Sequence, residues 1–371
     1  MASGKKPLVS ISMTVFNAAP FIAKSIESLL AQEHSCIELI ISDNASEDGS
    51  SEICRDYARR DDRIRFYRNT MNMGPARSSI KAVDLCSGEF IMCAADHDVY
   101  HPRFIPVLLN VLQQEESAVV AYPRTVMIDE KDQPVELVAD ALDTRGLDPS
   151  RRFSKTIWEF NWGNMFYGLH RASFLKKALD YYTTIGSDHT IFAKLSLVGS
   201  VVQADTPLFF RRMNRSPETA QEQTRRQNGW FVRSRSKALA PWTMLAYEHI
   251  KVVRDSGLTA EAKDILFADT RNCFRHRFGT LMLNEAFDVL NQIQQLSVDA
   301  NLPSWVHRDR CMELGEIVDV CRYFFPEISA HSQFESLKSL LRRSDPHPAP
   351  AALKPYYQSC TDHHAAMAGA S

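Results

Sequence analysis

The chain has 371 residues, 44% hydrophobic and 24% charged, with 43 Lys and Arg against 45 Asp and Glu. That length suits two domains, and the composition excludes general disorder. Up to Arg215 there are 25 basic and 27 acidic residues, and beyond it 18 of each. Neither half is a basic nucleic-acid module, so no nucleic-acid partner is expected.

No run reaches the roughly 18 apolar residues of a membrane helix. Met1–Lys6 leads into a strand pattern rather than a signal peptide. The eight Cys (36, 54, 86, 93, 273, 311, 321 and 360) form no CxxC pair and no Cys/His cluster of zinc spacing. The expectation is a cytoplasmic protein with reduced thiols.

In chain order, Leu8–Met13 is predicted as a strand, and a helix follows from Pro20 with Ile22, Ile26, Leu29 and Leu30 on one face. Ile37–Ser42 is nearly continuous apolar sequence, as in a strand covered on both faces. Ser46, Glu47 and Asp48 signal the next helix, with Ile53, Tyr57 and Ala58 as its stripe. Ile64–Tyr67 is a short strand, a helix runs from Pro75 to a left-handed cap at Gly88, and Phe90–Ala94 is a fourth strand. This alternation implies a mainly parallel sheet flanked by helices. Ligands of such sheets bind where strand ends meet helix starts, which singles out Thr14–Asn17, Asp43–Asp48, Asn72–Arg77 and Asp96–Asp98.

Further on, Asp129–Gln133 reads as a hairpin turn, Met165–Leu169 as a strand and Asp188–Val198 as a helix ending at Gly199. Val201–Gln203 and Leu208–Phe210 read as two strands. Beyond Ser216 the pattern is helical. One stripe contains Trp242, Leu245, Ala246, His249 and Val253; a second Phe274, Phe278, Leu281 and Met282; a third Phe287, Leu290 and Ile293. Expected domains are residues 1–215, α/β; 216–343, helical; and 344–371, a poorly ordered tail with four Pro between Pro346 and Pro355.

Asp96-His97-Asp98 follows an apolar strand. Two carboxylates at this spacing can converge on a hard divalent cation, whose other positions go to water and phosphate oxygens. His97 is either a third ligand or a bystander. Asp43, at the end of the second strand, either accepts an imide N–H of a base or caps the following helix. Arg211, Arg212 and Arg215 follow the last predicted strand and, read bottom-up, form a solvated, charged loop. The acid-free basic stretch 225–237, with Trp230 and Phe231, suits anionic lipid, a phosphate-bearing ligand or a solvated helix.

Residues 9–17 (VSISMTVFN), 38–50 (ELIISDNASEDGS), 72–77 (NMGPAR) and 95–102 (ADHDVYHP) resemble, in order and spacing, the inverting glycosyltransferases of family 2 with the GT-A fold. The resemblance covers about residues 7–212. It implies nucleotide contacts for Thr14, Phe16, Asn17, Asp43, Gly74, Arg77 and Asp96, and a divalent metal, Mn²⁺ or Mg²⁺, at Asp96, His97 and Asp98. It departs from the family at His97, where many relatives carry a metal-ligating Asp, and at Phe16, where Tyr is commoner. Gly186–Leu195 resembles the segment bearing the catalytic base, which implies Asp188 for that role. Read bottom-up, Asp188 is a helix N-cap. The resemblance further implies the diphosphate or acceptor side for Arg211, Arg212 and His189, since relatives often place a basic residue after the last strand.

The implied reaction moves a sugar from a nucleotide-diphospho-sugar, with UDP expected, to a hydroxyl of a saccharide, lipid-linked or small-molecule acceptor. The helical region is left with acceptor binding, homodimer formation or peripheral membrane docking. The alternative is a nucleotide-sugar-binding protein that has lost catalysis, which His97 keeps open. A sugar-phosphate nucleotidyltransferase or a dinucleotide-binding dehydrogenase would need a Gly-rich first loop, and Thr14–Pro20 contains no Gly.

Overall fold

The computed structural model describes residues 6–181, 186–212, 240–298, 314 and 316–326. Two compact units emerge, one of residues 1–182 and 191–216, the other of residues 183–190 and 217–371. Residues 225–237 and the tail from 344, both singled out in the sequence, lie outside the described residues, as does Arg215.

The first unit begins with β1 (Val9–Val15), α1 (Ile22–Leu30), β2 (Ile37–Asp43), α2 (Ser50–Arg60), β3 (Ile64–Arg68), α3 (Pro75–Asp84) and β4 (Phe90–Ala95). β3, β2, β1 and β4 lie side by side in that order and all run parallel. Period-two alternation sends their side chains to two cores. Ile11, Met13, Leu39, Ile41 and Met92 pack with α1 and with α4 (Phe104–Gln114). Ile40, Ile91 and Cys93 pack on the other face with Val83 of α3 and Phe192 and Leu195 of α7 (Ser187–Val198). Two-sided burial explains why these strands read as nearly unbroken apolar runs.

The sheet continues through β8 (Leu169–Arg171), β6 (Ala118–Ile128), β9 (Ser200–Arg212) and β5 (Val99–Tyr100), while β7 (Pro134–Leu137) pairs with β6. β8 is antiparallel to both β4 and β6, so the sheet is mixed. The two strands expected in 201–210 are one, β9, which follows β6 in parallel through several register shifts. The strand expected at Met165–Leu169 is instead a 3-10 turn, Asn164–Tyr167, followed by the short β8. Gly88 is not a left-handed cap. It is needed because a Cβ there would lie 2.7 Å from the Leu8 carbonyl oxygen.

The second unit holds α8 (Pro241–Arg254) and α9 (Ala260–Val298). The second and third apolar stripes of the sequence belong to this one 39-residue helix. Leu245, Phe274, Met282, Val289, Ile317 and Phe324 form its core. Glu285 of α9 accepts the backbone N–H groups of Trp242 and Thr243 at 2.9 and 2.8 Å, capping α8 from a distance in sequence. Among the described residues no helix is long and apolar enough to cross a membrane.

Candidate functional site

The strand register brings four loops to one edge of the sheet. Val15 lies opposite Asp43, Thr14 opposite Ala95, and Asp43 opposite Arg68. The loops then bind one another, largely by backbone N–H groups donating to short polar side chains. Asn17 N donates to Ser46 Oγ and Glu47 N to Asn17 Oδ1, both at 3.0 Å. Asn17 takes the left-handed conformation, φ 52°, which Asn tolerates better than most residues. Ala19 N and Ser50 N donate to Asp48. Burial works against that carboxylate's charge, but the bonds from Ser50 and Ala19 prevail and hold its pKa below the usual value.

Thr14 is half-buried and Asn17 exposed, and the Phe16 ring is 39% exposed beside them. Gly74, φ 82°, precedes α3, whose first turn begins with Pro75 and carries an exposed Arg77. Thus an aromatic face, a helix N-terminus and a guanidinium share one rim. Asp43 lies inside that rim rather than on it. It is fully buried, and its carboxylate accepts Ser46 N at 3.0 Å and the Ser51 hydroxyl, with Arg68 Nε at 3.4 Å. In this arrangement it braces the loop before α2, whose N-cap position is Gly49. Asn44, within the singled-out Asp43–Asp48 loop, ties the rim together: Oδ1 accepts Met73 N, and Nδ2 donates to Asn72 Oδ1 at 2.7 Å. Asn44 and Asn72 stand in two of the quoted segments, so the signal was there, though nothing in it said the two residues touch.

The Asp-His-Asp loop joins β4 to β5. Asp96 Oδ2 accepts the backbone N–H of Phe16 at 3.0 Å, and Asp96 Oδ1 lies 2.7 Å from His97 Nδ1. Asp98 is turned inward, 1% exposed, with Oδ1 accepting Arg212 N at 2.8 Å and Oδ2 without a hydrogen-bond partner among the described residues. Burial raises the Asp98 pKa. Burial opposes a charge on His97, yet the bond to Asp96 and the charges of Asp98 and Asp96 raise its pKa. The two carboxylates flank the His97 ring, Asp96 at Nδ1 and Asp98 Oδ1 3.8 Å from Nε2, and no three His, Cys, Asp or Glu among the described residues group as metal ligands. The donor set still suits a hard cation that takes one carboxylate, Asp96, with His97 beside it and phosphate and water oxygens in the remaining positions.

Arg212 is also inside, not facing a diphosphate. Its Nε donates to the His97 carbonyl at 2.9 Å, one terminal nitrogen to the Asp129 carbonyl at 2.7 Å and the other to Asp132 at 2.5 Å. It stacks 4.6 Å over Phe21. Arg211 is half-buried, donates to Trp162 O and Asn164 Oδ1 at 2.8 Å, and lies over the Tyr167 ring.

Asp188 and His189 belong to the second unit. Asp188 is half-buried in the first turn of α7, with Oδ1 accepting His189 N at 3.0 Å. His189, expected on the diphosphate or acceptor side, is 5% exposed, with Nδ1 2.7 Å from His249 Nε2.

Residues 10–182 match glycosyl transferase family 2. An uncharacterised glycosyltransferase of Bacillus subtilis, EpsJ, is 51% identical over 114 residues, 31% of this chain and 33% of its own length. The putative glycosyltransferase EpsH of Bacillus subtilis is 25% identical over 221 residues, 57% of this chain and 62% of its own. The chain thus spans less than two thirds of these curated relatives. Among solved structures, S. aureus TarS 1-349 in complex with UDP-GlcNAc superposes with a TM-score of 0.57 at 15% identity, covering 90% of this chain and 92% of that one. That likeness establishes the GT-A fold. The four rim loops lie within the matched segment, so the part of the chain that builds the rim is the part similar to glycosyl transferase family 2.

Proposed function

We propose that the chain transfers a sugar from a nucleotide-diphospho-sugar to an acceptor hydroxyl, inverting the anomeric carbon, with Asp188 as general base. The observation that carries this reading is the rim itself: Phe16, the α3 N-terminus, Arg77 and Asp96 on loops held by one hydrogen-bonded network. Phe16 offers a face to the base. The N-terminus of α3 and Arg77 suit a diphosphate, because free backbone N–H groups and a guanidinium both favour anionic oxygens. A uridine donor is supported by TarS, solved with UDP-GlcNAc.

The acceptor hydroxyl gives its proton to Asp188 as its oxygen attacks the anomeric carbon. The bond from that carbon to the phosphate oxygen breaks, and its electron pair leaves with the diphosphate. One displacement inverts the centre. At the start of α7 the helix dipole favours the ionised Asp188 that a base requires. A divalent cation, Mn²⁺ or Mg²⁺, would be held by Asp96 and His97, and when bound it offsets charge on the departing diphosphate. The acceptor is a hydroxyl of a saccharide, a lipid-linked glycan or a small molecule.

Calorimetric titration with UDP, GDP, dTDP and CDP, each with Mn²⁺, Mg²⁺ or EDTA, tests the donor half. Metal-dependent UDP binding that Asp96→Ala abolishes is the expected result; failure of all four nucleotides to bind contradicts it. For the base, Asp188→Asn is expected to lower turnover by about 10²–10⁴-fold while UDP still binds. An Asn variant that turns over normally removes Asp188 from the mechanism.

A further inference from the structure

Within the helical unit, the turn that carries Asp188 is fastened by a chain of side-chain bonds. His249, on α8, places Nδ1 2.8 Å from the Leu245 carbonyl and Nε2 2.7 Å from His189 Nδ1. Arg277 reaches His189 Nε2 from α9 at 3.2 Å. Each proton in this chain has one consistent place. A carbonyl only accepts, so His249 Nδ1 carries the hydrogen. Burial pushes the pKa of His249 down to about 4, with the Arg277 charge adding to it and the bond to Leu245 opposing it. The ring is therefore neutral near pH 7 and Nε2 is bare. It accepts from His189, whose hydrogen is then on Nδ1, and His189 Nε2 accepts from Arg277.

The same residues hold the backbone. His189 N donates to the Gly186 carbonyl at 2.9 Å as well as to Asp188 Oδ1. The Leu245 side chain lies against Gly186, where a Cβ would come within 3.2 Å of it. The ring that His249 locks therefore belongs to the residue whose N–H orients the Asp188 carboxylate.

We propose that His249 is a positioning residue for Asp188, acting through His189. This rests on Asp188 being the base. His249 never touches substrate; its hydrogen-bond acceptor, rather than its bulk, keeps the carboxylate aimed.

Two substitutions separate those properties. His249→Gln keeps an acceptor at the Nε2 position, and His249→Phe keeps the volume without one. Turnover is followed as UDP release from UDP-GlcNAc, UDP-glucose and UDP-galactose. Misplacing a catalytic group by an ångström costs up to about 100-fold, so H249F is expected to lose about 10- to 100-fold in kcat with donor KM within about twofold. H249Q is expected to recover most of the loss. An active Phe variant with an inactive Gln variant makes the site one of packing, and wild-type kcat in both leaves Asp188 without this support; either overturns the inference alone. If Asp188→Asn stays active, or the wild type turns over no donor, the underlying reading fails and takes the inference with it. Long-range ¹H–¹⁵N correlation of the wild-type imidazoles gives a check independent of variant folding. Both rings are expected as Nδ1–H tautomers, and an Nε2–H ring at either position overturns the proposal.

Discussion

The rim of the α/β unit and the Asp188 turn of the helical unit are both polar constructions, built in opposite ways. At the rim, backbone N–H groups donate to Asp, Asn and Ser side chains of neighbouring loops, and the sheet register has already aligned those loops. In the helical unit, imidazole, guanidinium and carboxylate groups on separate helices meet inside an aromatic core; His189 contacts a residue 60 positions away and Glu285 caps a helix 43 positions back. The first arrangement shapes an exposed surface that can receive a ligand. The second fixes a geometry and is exposed to the cost of any unpaired group.

The strongest way to break this contrast is to remove a buried rivet from the α/β unit. Arg212→Met deprives the His97 and Asp129 carbonyls and Asp132 of their donor, and is expected to cost about 3–5 kcal/mol in urea denaturation. A loss under about 1 kcal/mol would mean the guanidinium is not part of the framework.

Next come the pH effects. His170 in β8 and His249 in α8 are both pushed down to about 4 by burial, opposed by one carbonyl bond each. A histidine with a depressed folded pKa lends stability that is present above the unfolded value of about 6.5 and lost as pH falls through 4, up to about 3 kcal/mol for each ring. Glu285 behaves oppositely. Burial raises it to about 7 despite its bonds to Trp242 and Thr243, so its contribution is complete below the unfolded value and lost as pH rises through 7. Denaturation midpoints of the helical unit are thus expected to fall on both sides of mildly acidic pH. H249Q should flatten the acid limb and E285Q the alkaline one. Unchanged limbs in both variants would assign the pH dependence elsewhere.

The smallest effects belong to the exposed rim. Arg77→Ala is expected to weaken UDP binding about tenfold without altering the midpoint, as loss of one charge-assisted contact would. Asp98→Asn should change UDP affinity and its metal dependence by less than about threefold, because Asn keeps the acceptor for Arg212 N. A large metal effect at Asp98, with none at Asp96, would reverse the assignment of the ligand.

How much of this was legible in the sequence follows from the same contrast. β1, β2 and β4 were readable because burial on both faces leaves an apolar run, and the loops between them because ligand sites sit at strand ends. Ala204-Asp205-Thr206-Pro207 has turn composition and predicts two strands, whereas the chain passes it as irregularities within the continuous strand β9. The second and third stripes predict separate helices, whereas Phe274, Met282 and Leu290 lie on the single helix α9 and join one core. Arg212 and His189 were drawn into the active site by adjacency to motifs. Their partners, Asp132 and His249, lie 80 and 60 positions away, where neither periodicity nor spacing reaches.

The Asp-His-Asp loop has a further property. Its main chain is gripped from three sides: Ser25 Oγ donates to the Asp98 carbonyl, Arg212 Nε to the His97 carbonyl, and Ala95 N–H to the Tyr100 hydroxyl oxygen. None of these grips uses the side chain at position 97. The loop works as a socket whose contour is fixed from outside, so the group it presents can be exchanged, imidazole for carboxylate or the reverse, without re-forming the backbone. Drift at that one position alters what the socket binds and leaves its shape alone.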